Sequence, residues 1–168
     1  MEWEQYFMSM AYMVAMKSKD PSTKVGTVIV DSDNIMLATG YNDFPRGFDD
    51  FNASRKVKSE KSKYTVHSEM NACLSAARKG HSLHGGTCYV TWAPCHLCSL
   101  ALVQSGVKEV IFHSDNQVSP SWVDSIALGK ANLLEGGVKY TPWSGDILLP
   151  KMFVRGEVLQ ISKNEDLR

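Results

Sequence analysis

The sequence lacks three features that would point to a membrane, a secretory route or nucleic acid. No apolar run approaches the roughly 20 residues that a membrane-spanning helix needs. Residues 1–12 carry acids and no apolar segment with a basic flank, so they do not resemble a signal peptide and we expect a cytoplasmic protein. The 18 basic residues are balanced by 18 acidic ones. Because proteins that bind long nucleic acid usually carry a basic excess, this neutrality favours a small-molecule substrate, with no membrane or long nucleic-acid partner.

Cysteine is also scarce, with four residues in a chain of 168. In a cytoplasmic protein of this size, metal binding or burial is a commoner fate for cysteine than a disulfide. Cys95 and Cys98 stand three apart, which suits a metal ion. Cys73 and Cys88 lie among apolar residues and are expected in the core.

Apolar residues recur with helical and strand periods in alternation along the chain. Residues 2–17 carry an apolar stripe at helical spacing, and residues 42–63 indicate a long, mostly irregular loop. Predicted strands cover 25–30, 35–40, 87–91, 107–112 and 138–140, and further predicted helices cover 66–78, 95–104 and 121–134. This order predicts an α/β fold, in which a mixed sheet carries helices on its faces.

The length suits one domain with a hydrophobic core of its own. We predict a single domain over residues 1–168, with a core over about 1–140 and a C-terminal arm over 141–168. Within the arm, residues 147–161 could form a strand or a docking segment.

Two short motifs carry the chemistry. His67-Ser68-Glu69 opens one predicted helix, and Pro94-Cys95-His96-Leu97-Cys98 opens the next. H-x-E followed by P-C-x-x-C is the signature of the zinc nucleobase deaminases. Either motif alone is weak, since C-x-x-C also occurs in redox and structural zinc sites, but the pair on consecutive helices is highly specific.

The residue types explain this signature. His67, Cys95 and Cys98 provide three ligands, and because zinc prefers four, one position stays open for water. Zinc lowers the pKa of its water from about 15.7 to roughly 7, which makes hydroxide available at neutral pH. Glu69 would take the proton of that water and deliver protons to the ring nitrogen N3 and the departing amine of cytosine, while the Ser68 N–H donates to the base O2. The other histidines, His81, His84, His96 and His113, lack this spacing and are not expected to bind metal.

Five stretches resemble the deoxycytidylate deaminase family of the cytidine deaminase superfamily: residues 18–30, 39–47, 67–72, 88–98 and 105–112. The resemblance implies a cytidine-deaminase-like three-layer α/β/α sandwich with a mixed five-stranded sheet. It implies deamination of dCMP to dUMP for dTMP synthesis, one catalytic Zn²⁺ per chain and a homohexamer. It also implies activation by dCTP and inhibition by dTTP, with Mg²⁺ on the triphosphate. Relatives with a second zinc have extra Cys and His before the H-x-E helix, and residues 48–66 contain neither.

By position, the resemblance assigns the zinc to His67, Cys95 and Cys98, and the proton transfer to Glu69. It places Asn42 on the substrate sugar and Ala93 in the substrate site. The loop associated with the allosteric nucleotide corresponds to Asp43, Phe44, Arg46, Gly47 and Asp49. This chain departs from the family in having Ser68 where Ala is usual and Asp43 where Gly is frequent.

A substrate phosphate needs cationic or N–H partners. Lys19, Lys24 and Arg46 lie on loops that flank the first hairpin and are candidates, whereas the basic run over residues 55–63 is expected to be a solvated loop. Two other functions remain open at this point. One is a polynucleotide base deaminase acting on tRNA or single-stranded DNA, which the neutral charge disfavours. The other is a non-catalytic zinc module, which would have no use for Glu69.

Overall fold

The computed structural model describes residues 1–49, 52–116 and 118–148, with the backbone alone at 56, 58, 59, 152–154 and 157–159. The helices are α1 (Trp3–Ala15), a single turn α2 (Lys58–Lys61), α3 (Ser68–Lys79), α4 (His96–Gln104) and α5 (Val123–Glu135). The strands are β1 (Gly26–Val30), β2 (Met36–Tyr41), β3 (Thr87–Val90), β4 (Glu109–His113), β5 (Lys139–Trp143), β6 (Met152–Val154) and β7 (Glu157–Leu159). Two 3₁₀ turns cover Ala53–Lys56 and Pro120–Trp122. None of the described helices is long and apolar enough to cross a membrane.

The main sheet has five strands in the order β2-β1-β3-β4-β5. β1 runs antiparallel to both β2 and β3, whereas β3, β4 and β5 run parallel. β1 is buried along its whole length because helices cover both faces of the sheet, which explains its unbroken run of β-branched residues after Gly26.

Two apolar cores lie on opposite faces of this sheet. On one face, Phe7 and Met8 of α1 pack against Val28 and Val30 of β1. On the other face, α3, α4 and α5 bury Ala72, Ala76, Leu102 and Leu133 against Ile29, Ala38, Cys88, Val90 and Val110. The fold is therefore the predicted three-layer α/β/α sandwich with a mixed five-stranded sheet.

Two predicted segments differ in detail from the structure. The segment over 42–63, predicted to be mostly irregular, also contains a 3₁₀ turn and the one-turn helix α2, which local backbone hydrogen bonds hold. The last strand, predicted to end at residue 140, continues the parallel sheet to Trp143. Much of the predicted 147–161 segment lies outside the described residues, which include a short antiparallel pairing of β6 with β7.

Candidate active site

Two helix starts meet at one end of the sheet. His67 is the N-cap residue of α3, and Cys95 is the N-cap residue of α4, which follows directly from the end of β3. Close packing depends on Gly40, because a Cβ there would overlap the backbone of Ser68 and Ala72 in α3. The helices are thus held against the sheet with their N-termini facing a shared cavity.

Three potential metal ligands converge at this point. His67 Nδ1 lies 3.4 Å from Cys95 Sγ and 3.6 Å from Cys98 Sγ, and the three ligand atoms all lie within 4.8 Å of one another. In a tetrahedral zinc site with bonds of about 2.0–2.3 Å, neighbouring ligand atoms are about 3.5 Å apart. The residues therefore fit a zinc ion, and three ligands leave one of four positions open.

The electrostatics of the cluster favour a bound cation. A hydrogen bond from the Cys98 thiol, together with the neighbouring His67 ring, lowers the pKa of the Cys95 thiol. The same sharing of a proton raises the pKa of Cys98. The two sulfur atoms thus share a proton, which must leave when a cation binds both of them as thiolates.

Glu69 is the buried acid of the site, with 4% of its surface exposed. It lines the cavity but is outside the cluster of ligand atoms. The Ser68 hydroxyl donates to Glu69 Oε2 at 2.9 Å. Burial raises the pKa of Glu69, and its own backbone N–H, His67 and Ser68 only partly oppose this effect. A carboxyl with a raised pKa beside a reaction site is suited to both accepting and donating protons.

The cavity in front of Glu69 has a volume of about 210 Å³. Asn42, Ser68 and Ala93 line it, and their contact with the substrate stays a prediction. Lys19 and Lys24 are not among its lining residues, and their assignment to the substrate stays a prediction. Their loop leads into β1, and Lys19 instead lines a second groove.

The Asn42 side chain is already engaged within the protein. Its Oδ1 accepts a hydrogen bond from the Val25 N–H at 2.7 Å, and its Nδ2 donates to the Thr23 carbonyl at 2.9 Å. Asn42 therefore fixes the loop before β1 as part of the cavity wall. The second lone pair of Asn42 Oδ1 can still accept a hydrogen bond from a ligand.

Lys61 is a cavity residue that the sequence analysis missed. Its Nζ lies 2.7 Å and 2.8 Å from the two Asp20 carboxylate oxygens and 3.2 Å from Ser22 Oγ. The expectation of a solvated basic loop over 55–63 is wrong for this residue, because α2 directs it to the cavity. Among so many basic neighbours, the sequence carries no signal that singles it out.

The cavity wall also includes an aromatic ring that the sequence analysis did not identify. Trp122 lines the cavity and meets the His67 ring edge-on, with centroids 5.6 Å apart and an interplanar angle of 63°. His96 Nδ1 lies 2.8 Å from Ser125 Oγ, and His96 is outside the cluster of His67, Cys95 and Cys98.

A second groove of about 310 Å³ lies beside the first cavity. Four of the five residues that the resemblance assigns to the allosteric nucleotide line it: Asp43, Phe44, Arg46 and Gly47. Asp49 is not among the lining residues. Arg78 of α3 and Lys19 add cationic groups to the same groove.

Known proteins resemble this chain in both sequence and structure. The family model for the cytidine and deoxycytidylate deaminase zinc-binding region matches residues 1–114. A deoxycytidylate deaminase of Pongo abelii is 38% identical over 120 residues, which cover 68% of this chain and 66% of that protein. A probable deoxycytidylate deaminase of Caenorhabditis elegans is 44% identical over 111 residues, covering 64% of this chain and 55% of the relative.

The chain thus spans slightly less than two thirds of the first relative and about half of the second. The crystal structure of dCMP deaminase from the cyanophage S-TIM5 in complex with dCMP and dUMP is similar, with a TM-score of 0.67 and 26% identity. That likeness covers 83% of this chain and 96% of the phage protein. With the family model matching well over half of its length, this chain belongs to the family that carries the cytidine and deoxycytidylate deaminase zinc-binding region.

Proposed function

We propose that the chain is a zinc-dependent deaminase that hydrolyses dCMP to dUMP and ammonia in the cytoplasm, supplying dUMP for dTMP synthesis. The observation that carries the proposal is the placement of the unligated Glu69 in the same cavity as the His67, Cys95 and Cys98 cluster. A structural zinc site is normally closed by a fourth protein ligand and has no role for such a carboxyl. The similar phage structure binds dCMP and dUMP, which supports this substrate class.

A zinc ion held by these three ligands would lower the pKa of water to roughly 7. Glu69 accepts the proton from the attacking water and transfers it to ring N3 of cytosine. It then takes the proton of the new C4 hydroxyl and delivers it to the C4 amine, so that the C–N bond breaks, ammonia leaves and the uracil carbonyl forms. Its raised pKa suits both halves of this cycle, in which the same group is first base and then acid.

The remaining contacts orient the nucleotide. The Ser68 N–H lies in the first turn of α3, where helix N–H groups have no partner within the helix, and it donates to the base O2. Trp122 and Ile126 form an apolar wall for the ring. Lys61 is the cation that meets the 5′-phosphate, with Ser62 and Thr65 beside it on the cavity lining.

The test is an ammonia-release assay on dCMP, deoxycytidine and dCTP under matched conditions. We expect dCMP to be the best substrate, because the phosphate holds the base in place for attack. Equal efficiency on deoxycytidine would instead identify a nucleoside deaminase. A polynucleotide deaminase would deaminate single-stranded DNA or tRNA and bind it in a gel shift that weakens steeply with salt.

We also propose that the second groove binds dCTP and dTTP as opposing regulators. Arg46, Arg78 and Lys19 supply cationic groups for the phosphate oxygens, and the Asp43 carboxylate can orient Mg²⁺ or its waters. Both Asp43 oxygens already accept backbone N–H bonds, from Phe44 at 2.8 Å and from Lys19 at 3.3 Å.

A homohexamer completes the proposal. Exposed leucines lie on three helices of the layer that contains the site, namely Leu74, Leu97, Leu100 and Leu128. Apolar surface of this kind is commonly buried by association. Sedimentation velocity with and without dCTP would give the mass of the assembly, and a monomer under both conditions would contradict this part.

A further inference from the structure

Two buried hydroxyl groups form a chain of hydrogen bonds that ends at the Glu69 carboxylate. Thr27 Oγ1 is 2.8 Å from Ser68 Oγ, and Ser68 Oγ is 2.9 Å from Glu69 Oε2. Thr27 and Ser68 are fully buried, and Glu69 is 4% exposed. The three side chains therefore form a relay inside the protein, away from solvent.

The direction of this relay follows from the chemistry of its members. An ionised carboxylate can only accept, so the Ser68 O–H donates to Glu69. With its proton used in this way, Ser68 Oγ accepts the O–H of Thr27. Thr27 is then a donor to Ser68, and Ser68 is a donor to Glu69, so the orientations of both hydroxyl groups are fixed.

The relay begins on an interior strand of the main sheet. Thr27 belongs to β1, which pairs with β2 on one side and with β3 on the other. Glu69 lies in the first turn of α3, on a different element. The two hydroxyls thus join the acid of the site to the interior strand β1 by a path separate from the helix backbone.

We propose that Ser68 and Thr27 are positioning residues, which hold the Glu69 carboxylate in a single orientation for proton transfer. This inference rests on the proposed function of Glu69. A glutamate has several rotatable bonds, and a misplacement of about 1 Å at a reacting group can cost about 100-fold in rate. A fixed donor at Oε2 removes that freedom and leaves the remaining carboxylate lone pairs for the proton being moved.

The plainer alternative is that the hydroxyls only satisfy each other in a buried place. Deleting either would then lower stability and leave turnover unchanged. The two interpretations predict different kcat values for variants that lack a hydroxyl, and they also predict different orientations of the Glu69 carboxylate in those variants.

The experiment compares four variants of the full chain: Ser68→Ala, Thr27→Val, Thr27→Ser and Ser9→Ala. Val keeps the shape of Thr27 without its hydroxyl, and Ser keeps the hydroxyl without the methyl. Ser9→Ala is the matched control, because Ser9 is a buried serine in α1 whose hydroxyl donates to the Gln5 carbonyl at 2.7 Å, outside the cavity lining. The measurements are kcat and KM for dCMP, zinc content, Tm and a crystal structure of Ser68→Ala.

We expect Ser68→Ala to lower kcat about tenfold, the loss of one charge-assisted hydrogen bond, with KM within about threefold. Thr27→Val should lower kcat in the same way by about two- to fivefold, because Ser68 keeps its bond to Glu69 but loses its own donor. Thr27→Ser should stay within about twofold of the wild type, since the relay survives. Ser9→Ala should lower Tm and leave kcat unchanged, and all four should retain zinc.

A wild-type kcat in Ser68→Ala would overturn the proposal, as would equal losses in Thr27→Ser and Thr27→Val, which would indicate packing. If the wild type itself deaminates no cytosine nucleotide, the proposed function fails. The crystal structure of Ser68→Ala then tests by itself whether the two hydroxyls position Glu69. Several Glu69 orientations in Ser68→Ala would support it. One unchanged orientation would reject it.

Discussion

Asp43 and Val66 pair backbone to backbone, with the N–H of each donating to the carbonyl of the other at 3.1 Å and 2.9 Å. Both residues line the second groove. The residue before Asp43 is Asn42 and the residue after Val66 is His67, and both of these line the cavity that holds Glu69. This bridge therefore connects the wall of the groove to the wall of the cavity and to His67, one member of the metal cluster.

The bridge leads to a prediction about regulation. If dCTP and dTTP bind the groove in different states of the oligomer, the rate against dCMP should be sigmoidal without dCTP and near-hyperbolic with it. Arg46→Ala and Arg78→Ala should each weaken both nucleotide effects while zinc content stays unchanged. Lys79→Ala is the matched control, because Lys79 follows Arg78 on α3 but does not line the groove. If the rate curve is hyperbolic and neither dCTP nor dTTP changes it, this chain is not regulated by the two triphosphates.

A second prediction concerns recognition of the phosphate by Lys61. Lys61→Ala should lower kcat/KM for dCMP about 10–100-fold, the loss of a charged hydrogen bond to phosphate. Deoxycytidine, which has no phosphate, should be turned over equally by the variant and the wild type. Lys63→Ala serves as the control, because Lys63 is exposed and pairs with Glu60 instead. A parallel loss on both substrates would mean that Lys61 acts through the fold rather than through the phosphate.

A third prediction follows from the Asp20 carboxylate. Burial alone would raise its pKa, but hydrogen bonds from Lys61 and from the Ser22 and Thr23 N–H groups outweigh this effect and the pKa is lowered. A lowered folded-state pKa means that the ionised carboxylate stabilises the fold above its unfolded pKa of about 3.9, and that this contribution is lost as the pH falls through the folded pKa.

Asp20→Asn should therefore reduce the free energy of unfolding by about 1 kcal/mol at pH 7, a value moderated by solvent screening. The difference from the wild type should shrink as the pH falls below the unfolded pKa of about 3.9 and should vanish below the lowered folded-state pKa. Urea unfolding of both proteins at several pH values measures it. A difference that stays constant down to the lowest pH would rule out the ion pair as its source.

Sequence reasoning predicted the layers of this fold because the pattern was strong where burial is greatest. The β-branched run in β1 and the apolar spacing of α3 leave few alternatives, and the paired motifs mark His67 and Cys95 directly. The sequence did not indicate which pocket the side chains on loops would line. Lys19 and Lys61 are both lysines in polar segments, and only the folded loops send one to the second groove and the other to the cavity.

Trp122 illustrates the same limit. It ends a short 3₁₀ turn, and nothing in its neighbours along the chain indicates that it will meet His67. Contacts between residues so far apart in sequence depend on how α3 and α5 each pack against α4, and apolar periodicity does not encode that packing in detail.

A fourth prediction concerns Gly40, which lets α3 lie directly on β2. Because an added Cβ would overlap backbone atoms of Ser68 and Ala72, Gly40→Ala must push the helix away. We expect a loss of about 3 kcal/mol in the free energy of unfolding, at the upper end for overpacking. Weaker zinc binding should accompany it, since α3 carries His67 at its start. Gly85→Ala is the control, because a Cβ there meets no atom within 4 Å and only the positive φ of 76° is strained. Equal stability losses in the two variants would show that close packing of α3 is not the cause.

The most direct test of the central claim is a zinc titration of the metal-stripped protein, followed as dUMP formed from dCMP, with Glu69→Gln measured in parallel. Turnover should rise in proportion to added zinc and level off at one zinc per chain. Glu69→Gln should bind the same amount of zinc and turn over about 10²–10⁴-fold more slowly. Turnover that persists without metal, that keeps rising towards two zinc ions per chain, or that is near normal in Glu69→Gln would contradict the assignment of this site.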